Sequence, residues 1–251
     1  MSIASCCLKG FEWNGTPTGK TGRVAGVDND TYIAGDETTD AAVLLIADLF
    51  GWTFNNIRLL ADHYAREAGV TVYAPDFFGG EVIPADLLVN EEFDKCDLPG
   101  FLQRNGREAR ENEIFAFAKA LRAKYKKVGA IGFCYGGWAV YRLGAKEHQP
   151  PLVDCISAGH PSLLIKKDID EVAVPVQMLA PEIDFMYTAE LKSHTFETLL
   201  KSNLTFDYQH YPGVEHACFV RGNDKKPGEL EAMVKGKEAA VYWMKRFLQV
   251  D

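Results

Sequence analysis

The run Ala41-Ala42-Val43-Leu44-Leu45-Ile46-Ala47 limits most what this chain can become. No polar residue interrupts it, so a strand built from it has no face to give to water. It is also far shorter than the roughly 18 apolar residues of a membrane-spanning helix. A strand covered on both faces belongs at the centre of a parallel sheet, and the following residues supply a cover. Ile57, Leu60, Ala61, Tyr64, Ala65 and Ala68 form one helical stripe, which Gly69 ends. A second strand over 70–74 closes at Pro75-Asp76. The pattern then predicts helices at 107–124, about 137–147, 188–200 and 229–248. Strands are predicted at 128–132, 153–157, 174–180 and 204–210. Residues 1–40, rich in Gly and Thr, suggest turns and a short antiparallel edge, and 79–106 an excursion over the top of the sheet. With no internal repeat or linker, residues 1–251 read as a single domain. Alternating strands and helices predict a doubly wound α/β fold, with ligands bound beyond the carboxyl ends of the strands.

Composition narrows the function. The 35 acidic residues outnumber 27 basic ones, for a net charge of −8, which disfavours a phosphate backbone as partner. No basic segment followed by an apolar stretch marks a leader at the N-terminus. Six cysteines in a chain this long do not demand disulfides, and Cys6 and Cys7 are adjacent. Free thiols in a reducing, cytoplasmic setting are the expectation. Metal spacings such as His-x-x-x-His or Cys-x-x-Cys are missing, as are phosphate-binding glycine loops, so neither a metal nor a cofactor is expected.

The chemistry concentrates at Gly132-Phe133-Cys134-Tyr135-Gly136-Gly137, between a predicted strand and a predicted helix. A sharp strand-to-helix turn of this kind exposes a nucleophile and demands small neighbours, and the helix N-terminus favours a thiolate and a developing oxyanion. A base and an orienting acid should follow in the order acid, then histidine. His216, in a loop after the strand 204–210, is the first choice, with His160 as runner-up or as pocket floor. Asp184, just past the strand 174–180, is the preferred acid over Glu182, Asp154 and Asp207.

Together with Asp48-Leu49-Phe50-Gly51-Trp52, Pro75-Asp76-Phe77-Phe78-Gly79-Gly80 and the segment 213–222, these motifs resemble the dienelactone hydrolase family, its fungal members above all. The resemblance runs from about Cys6 to the last helix. It implies the α/β-hydrolase fold and a Cys134–His216–Asp184 triad, agreeing with the reading of the residues alone. It further implies that the backbone N–H groups of Leu49 and Tyr135 form the oxyanion hole. Bacterial members carry a Glu that contacts the resting thiol, where this chain has the shorter Asp48. They also hold a substrate carboxylate with two arginines; Arg221 matches one, and Gly79-Gly80 stands where the other would be. Trp52, Phe78, Tyr135 and Phe185 are candidates to line an apolar pocket.

The expected activity is hydrolysis of a small-molecule ester or lactone through a thioester, by a monomer or homodimer that binds neither nucleic acid nor membrane. The alternatives are acyl transfer, lactonisation or C–C cleavage in a natural-product pathway, or a binding protein that keeps the pocket.

Overall fold

The structure is a computed structural model that describes residues 10–84, 87 and 95–249. Cys6 and Cys7 therefore lie outside the described residues, as does most of 85–94. Among the described residues the strands are β1 (Lys20–Gly22), β2 (Thr31–Ala34), β3 (Ala41–Ile46), β4 (Thr71–Pro75), β5 (Lys127–Phe133), β6 (Cys155–Gly159), β7 (Val176–Ile183) and β8 (Phe206–Glu215). The helices are α1 (Asn55–Ala68), α2 (Leu98–Asn105), α3 (Arg107–Lys124), α4 (Gly136–Leu143), α5 (Lys166–Asp170), α6 (Ala189–Lys201) and α7 (Glu229–Leu248).

One sheet carries the strands in the order β1-β2-β4-β3-β5-β6-β7-β8. Only the β1–β2 and β2–β4 pairs are antiparallel, the short edge expected near the N-terminus. From β4 to β8 every pairing is parallel. Every residue of β3 is buried, as its unbroken apolar run requires. Helices α1 and α7 pack on one face, while α3 and α4 cover the other. Helix α1 ends at left-handed Gly69, whose N–H returns to the Ala65 carbonyl. This is the doubly wound α/β arrangement read from the sequence. Among the described residues no helix is long and apolar enough to cross a membrane.

Several elements depart from expectation: α2 forms inside the 79–106 stretch read as an excursion, and β8 continues past the expected end at 210 to Glu215, directly before His216. The helix expected to run to about 147 ends at Leu143, because the chain turns at Gly144 and Ala145 forms an isolated bridge with Val172. The five-residue α5 was not expected, since so short a segment shows no period.

The turn between β5 and α4 is packed closely against backbone. A Cβ at Gly132 would lie 2.1 Å from the Gly136 carbonyl oxygen, and one at Gly136 would lie 2.2 Å from the Ile46 carbonyl oxygen. Both clashes involve backbone, which cannot swing aside. Gly132→Ala is expected to cost about 2–3 kcal/mol of stability, lowering the midpoint of thermal unfolding by roughly 5–10 °C. Differential scanning calorimetry checks it.

Candidate active site

Register explains why distant residues meet. Phe133 is paired with Gly159, and Ile183 with Glu215. Each is the last residue of its strand, so the chain leaves β5 at Cys134, β6 at His160, β7 at Asp184 and β8 at His216, side by side at one sheet edge. On the other side of β5, Ile46 pairs with Gly132, which brings the loop of Asp48 and Leu49 alongside.

Cys134 adopts a left-handed φ of 49°. Its N–H donates to the Gly159 carbonyl at 3.1 Å, and its own carbonyl accepts from Gly137 at 3.0 Å. Strain in a residue bearing a Cβ is held only where the surroundings over-determine it. All the non-glycine residues with positive φ among those described, namely Cys134, His160, Leu163 and Ala217, lie in these strand-end loops.

The side chains form a buried polar array. Asp184 Oδ1 accepts from the backbone of Met186 (2.8 Å) and Tyr187 (2.9 Å), which fixes its rotamer, and from His216 Nδ1 at 2.9 Å. Nδ1 is thus the donor, and Nε2 is left to face the nucleophile turn. A further hydroxyl lies there, that of Ser162, 3.5 Å from His216 Nε2 and 3.2 Å from Cys134 Sγ. Burial alone would drive the imidazole towards its neutral form. The negative charges of Cys134 and Asp184 and their hydrogen bonds outweigh it, raising the His216 pKa to about 10.

Asp48 and Arg221 complete the site. Both side chains are fully buried, with Arg221 Nε 3.0 Å from Asp48 Oδ2 and the guanidinium 4.7 Å above the Phe50 ring. Asp48 Oδ1 accepts from the Phe50 N–H at 3.1 Å. Burial pushes the Asp48 carboxyl up, against the pull of Arg221; Cys134 adds to the rise, while the Phe50 N–H and His216 oppose it. The N–H groups of Leu49 and Tyr135 donate no hydrogen bond among the described residues, although both residues are buried.

The other candidates fall as follows. His160 is fully buried, with neither ring nitrogen hydrogen-bonded among the described residues; it stacks on Phe219 and meets His216 edge-on, 4.9 Å between centroids. Burial, then the charges of His216 and Arg221, push its pKa well below the ordinary value. It therefore favours the neutral form and, among the described residues, lacks the carboxylate partner that His216 has. Glu182 accepts from the Gly213 N–H, whereas Asp154 pairs with Arg122 and Asp207 accepts from Gln177. Phe78 packs edge-on against Tyr135 and lies within 3.4 Å of where a Gly51 Cβ would be, so it joins the two amide-bearing loops. Trp52 is half-buried beneath Arg58. Phe185 is 71% exposed and joins no ring contact among the described residues. Among the described residues no cluster of three or more His, Cys, Asp or Glu is placed to hold a metal.

Sequence reasoning missed Ser162. The one available signal was its position just past a strand end, in His160-Pro161-Ser162, and that alone assigns no role.

The family model described as "Dienelactone hydrolase family" matches residues 30–248. The chain belongs to the dienelactone hydrolase family. Among relatives, the hydrolase tropI of Talaromyces stipitatus is 32% identical over 255 residues, covering 98% of this chain and 96% of that protein. Dienlactone hydrolase 1 of Gibberella moniliformis is 27% identical, covering 95% and 92%. The carboxymethylenebutenolidase homolog of Homo sapiens is 25% identical, covering 82% of each. A solved dienelactone hydrolase-like promiscuous phosphotriesterase from metagenomic libraries superposes with a TM-score of 0.70 at 17% identity, covering 92% of this chain and 99% of that one. The fold is that of the α/β-hydrolases of this family.

Removing one member of the buried Asp48–Arg221 pair strands the other charge in a dry interior. Arg221→Met is expected to cost about 3–5 kcal/mol. The double variant with Asp48→Asn is expected to recover part of that loss. Thermal unfolding of the three proteins is the check.

Proposed function

We propose that this member of the family is a hydrolase of a carboxylic ester or lactone whose nucleophile is Cys134, with His216 as base and acid and Asp184 as its orienting group. The observation that carries the reading is the line from Asp184 through His216 to the thiol on its left-handed turn, beside two unengaged amide N–H groups.

The chemistry follows from the charges. The Cys134 thiolate attacks the carbonyl carbon, and the N–H groups of Leu49 and Tyr135 receive the oxyanion. As the tetrahedral intermediate collapses, the C–O bond breaks and His216 Nε2 gives its proton to the leaving oxygen, which leaves a thioester. Sulfur is now uncharged, so the main influence that kept His216 protonated is gone. The neutral imidazole takes a proton from water, hydroxide adds to the thioester, and the acid is released as the thiolate and imidazolium return. In a lactone the leaving oxygen stays tethered and the product is one hydroxy acid. Phe78 and Tyr135 line the apolar side of the acyl pocket. Arg221, the cation expected for a substrate carboxylate, is sealed behind Asp48 and Phe50, so a carboxylate would have to displace Asp48 to reach it. Trp52 and Phe185 are the remaining aromatic candidates for contact with the substrate. An alcohol in place of water gives transesterification from the same thioester.

Cys134→Ala is expected to lose turnover of p-nitrophenyl acetate by at least about 10³-fold, measured by nitrophenolate release after removal of contaminating esterase. Turnover at the wild-type rate sinks the assignment. For an unactivated alkyl ester, whose leaving group needs a proton, kcat/KM is expected to fall as pH rises through about 10, where His216 loses its proton. In Asp184→Asn, one of the charges that raise the His216 pKa is gone, so the fall comes at lower pH. The plateau rate of this variant drops roughly 10³–10⁴-fold. A pH–rate profile of both proteins reads the shift.

A further inference from the structure

We propose that Ser162 is a positioning residue that makes the triad a four-member array, its hydroxyl holding the Cys134 thiolate and the His216 imidazolium as one charged pair. The proposal rests on the cysteine-nucleophile reading above. Its hydroxyl lies 3.2 Å from Sγ and 3.5 Å from Nε2, the second contact at the outer edge of hydrogen-bond reach. A hydroxyl there has one proton to donate to sulfur and a lone pair to accept the Nε2–H. Both bonds are charge-assisted only in the thiolate–imidazolium state, so the array favours that state over the neutral thiol and imidazole.

The fold goes to some length to hold this hydroxyl in place. His160 and Leu163, on either side of Pro161-Ser162, have φ of 37° and 58°, values that side chains with a Cβ rarely adopt. The segment is tied at each end and in the middle. His160 N–H donates to the Leu179 carbonyl (3.1 Å), and Ser162 N–H to the Cys134 carbonyl (2.7 Å). The Leu163 carbonyl accepts from Arg107 Nη1 at 2.7 Å, a guanidinium that also holds buried Asp168. Pro161 presses so closely on α4 that a Cβ at Gly137 would lie 2.4 Å from its own Cβ. A serine that merely filled space would need none of this.

Other charges also face the pair. Asp48 acts on it from the loop after β3 and His160 from the loop after β6, while Arg221, past β8, acts on both of these. Lys192 of α6 and the thiol of Cys218 act on Asp184. None of them offers a hydroxyl to the thiol and the imidazole together.

The test measures carboxamidomethylation of Cys134 by iodoacetamide against pH, by peptide mapping, with kcat/KM for p-nitrophenyl acetate in parallel. Wild type, Ser162→Ala and Ser162→Thr are compared. In Ser162→Ala the midpoint of the alkylation profile is expected to rise by about one unit. At neutral pH kcat/KM is expected to fall about tenfold and to approach the wild-type value as pH rises. Ser162→Thr, which keeps a hydroxyl, is expected to restore the wild-type midpoint. An unshifted midpoint in Ser162→Ala, even with a lower rate at every pH, would mean a purely structural role and overturns the proposal. So would a threonine variant that behaves like alanine. If Ser162→Ala does not fold, Ser162→Gly removes the hydroxyl instead and is read the same way. Undiminished turnover in Cys134→Ala would instead strike the underlying hydrolase reading, and the alkylation midpoints would still report on Ser162.

Discussion

A left-handed backbone at a residue with a Cβ costs on the order of 1–2 kcal/mol, and at Cys134 the neighbours supply what holds it. The Gly159 carbonyl fixes the Cys134 amide from β6, and the Cys134 carbonyl takes the Gly137 and Ser162 amides. Glycines at 132 and 136 let the helix backbone close onto β3 and β5. Everything else in the site is measured from this turn. Were it to relax, the sulfur would move relative to the Leu49 and Tyr135 amides and to the imidazole together. The sheet therefore acts as the jig that keeps strand ends in register.

The buried charges are arranged with alternating sign around the sulfur. Arg221 faces Asp48, and the His216 imidazolium lies between Cys134 and Asp184. Isolated, each of these groups would be costly to bury; their opposite charges face one another, although Asp48 Oδ2, Asp184 Oδ2 and the three Arg221 side-chain nitrogens make no hydrogen bond among the described residues. His160 marks the boundary of this region. It is as buried as His216, yet with no carboxylate partner among the described residues its pKa is pushed down and the neutral form is favoured.

Much of this was legible in the residues. Helices α3 and α7 fall at the expected 107–124 and 229–248, because Ile114, Phe117, Ala118 and Leu121 in the first, and Met233, Ala240, Val241, Met244 and Leu248 in the second, recur at helical spacing and are buried. The strand–Cys–helix turn was legible for the same reason: small residues at fixed offsets mean little except in one geometry. His216 was the first choice over His160 from the residues alone; that it lies beside Asp184 follows from the pairing of Ile183 with Glu215, a long-range fact that no local pattern contains. Ser162 was invisible because its place depends on two strained neighbours and on contact with Gly137 across the sheet edge. The sealed state of Arg221 was equally out of reach, since a loop arginine next to glycine looks like a surface residue until Phe50 and Asp48 close over it.

The remaining described cysteines add a last consequence. Burial is the leading cause that pushes the thiols of Cys96, Cys155 and Cys218 above the ordinary value, and nearby carboxylates push the same way. A peroxide reacts with thiolates far faster than with thiols. On the reading above, oxidative damage to the described part of the protein would thus begin at one sulfur, as a sulfenic acid on Cys134. With the other described thiols held neutral, a second thiolate to resolve that adduct would have to come from outside, and recovery would depend on the small-molecule thiols around the enzyme.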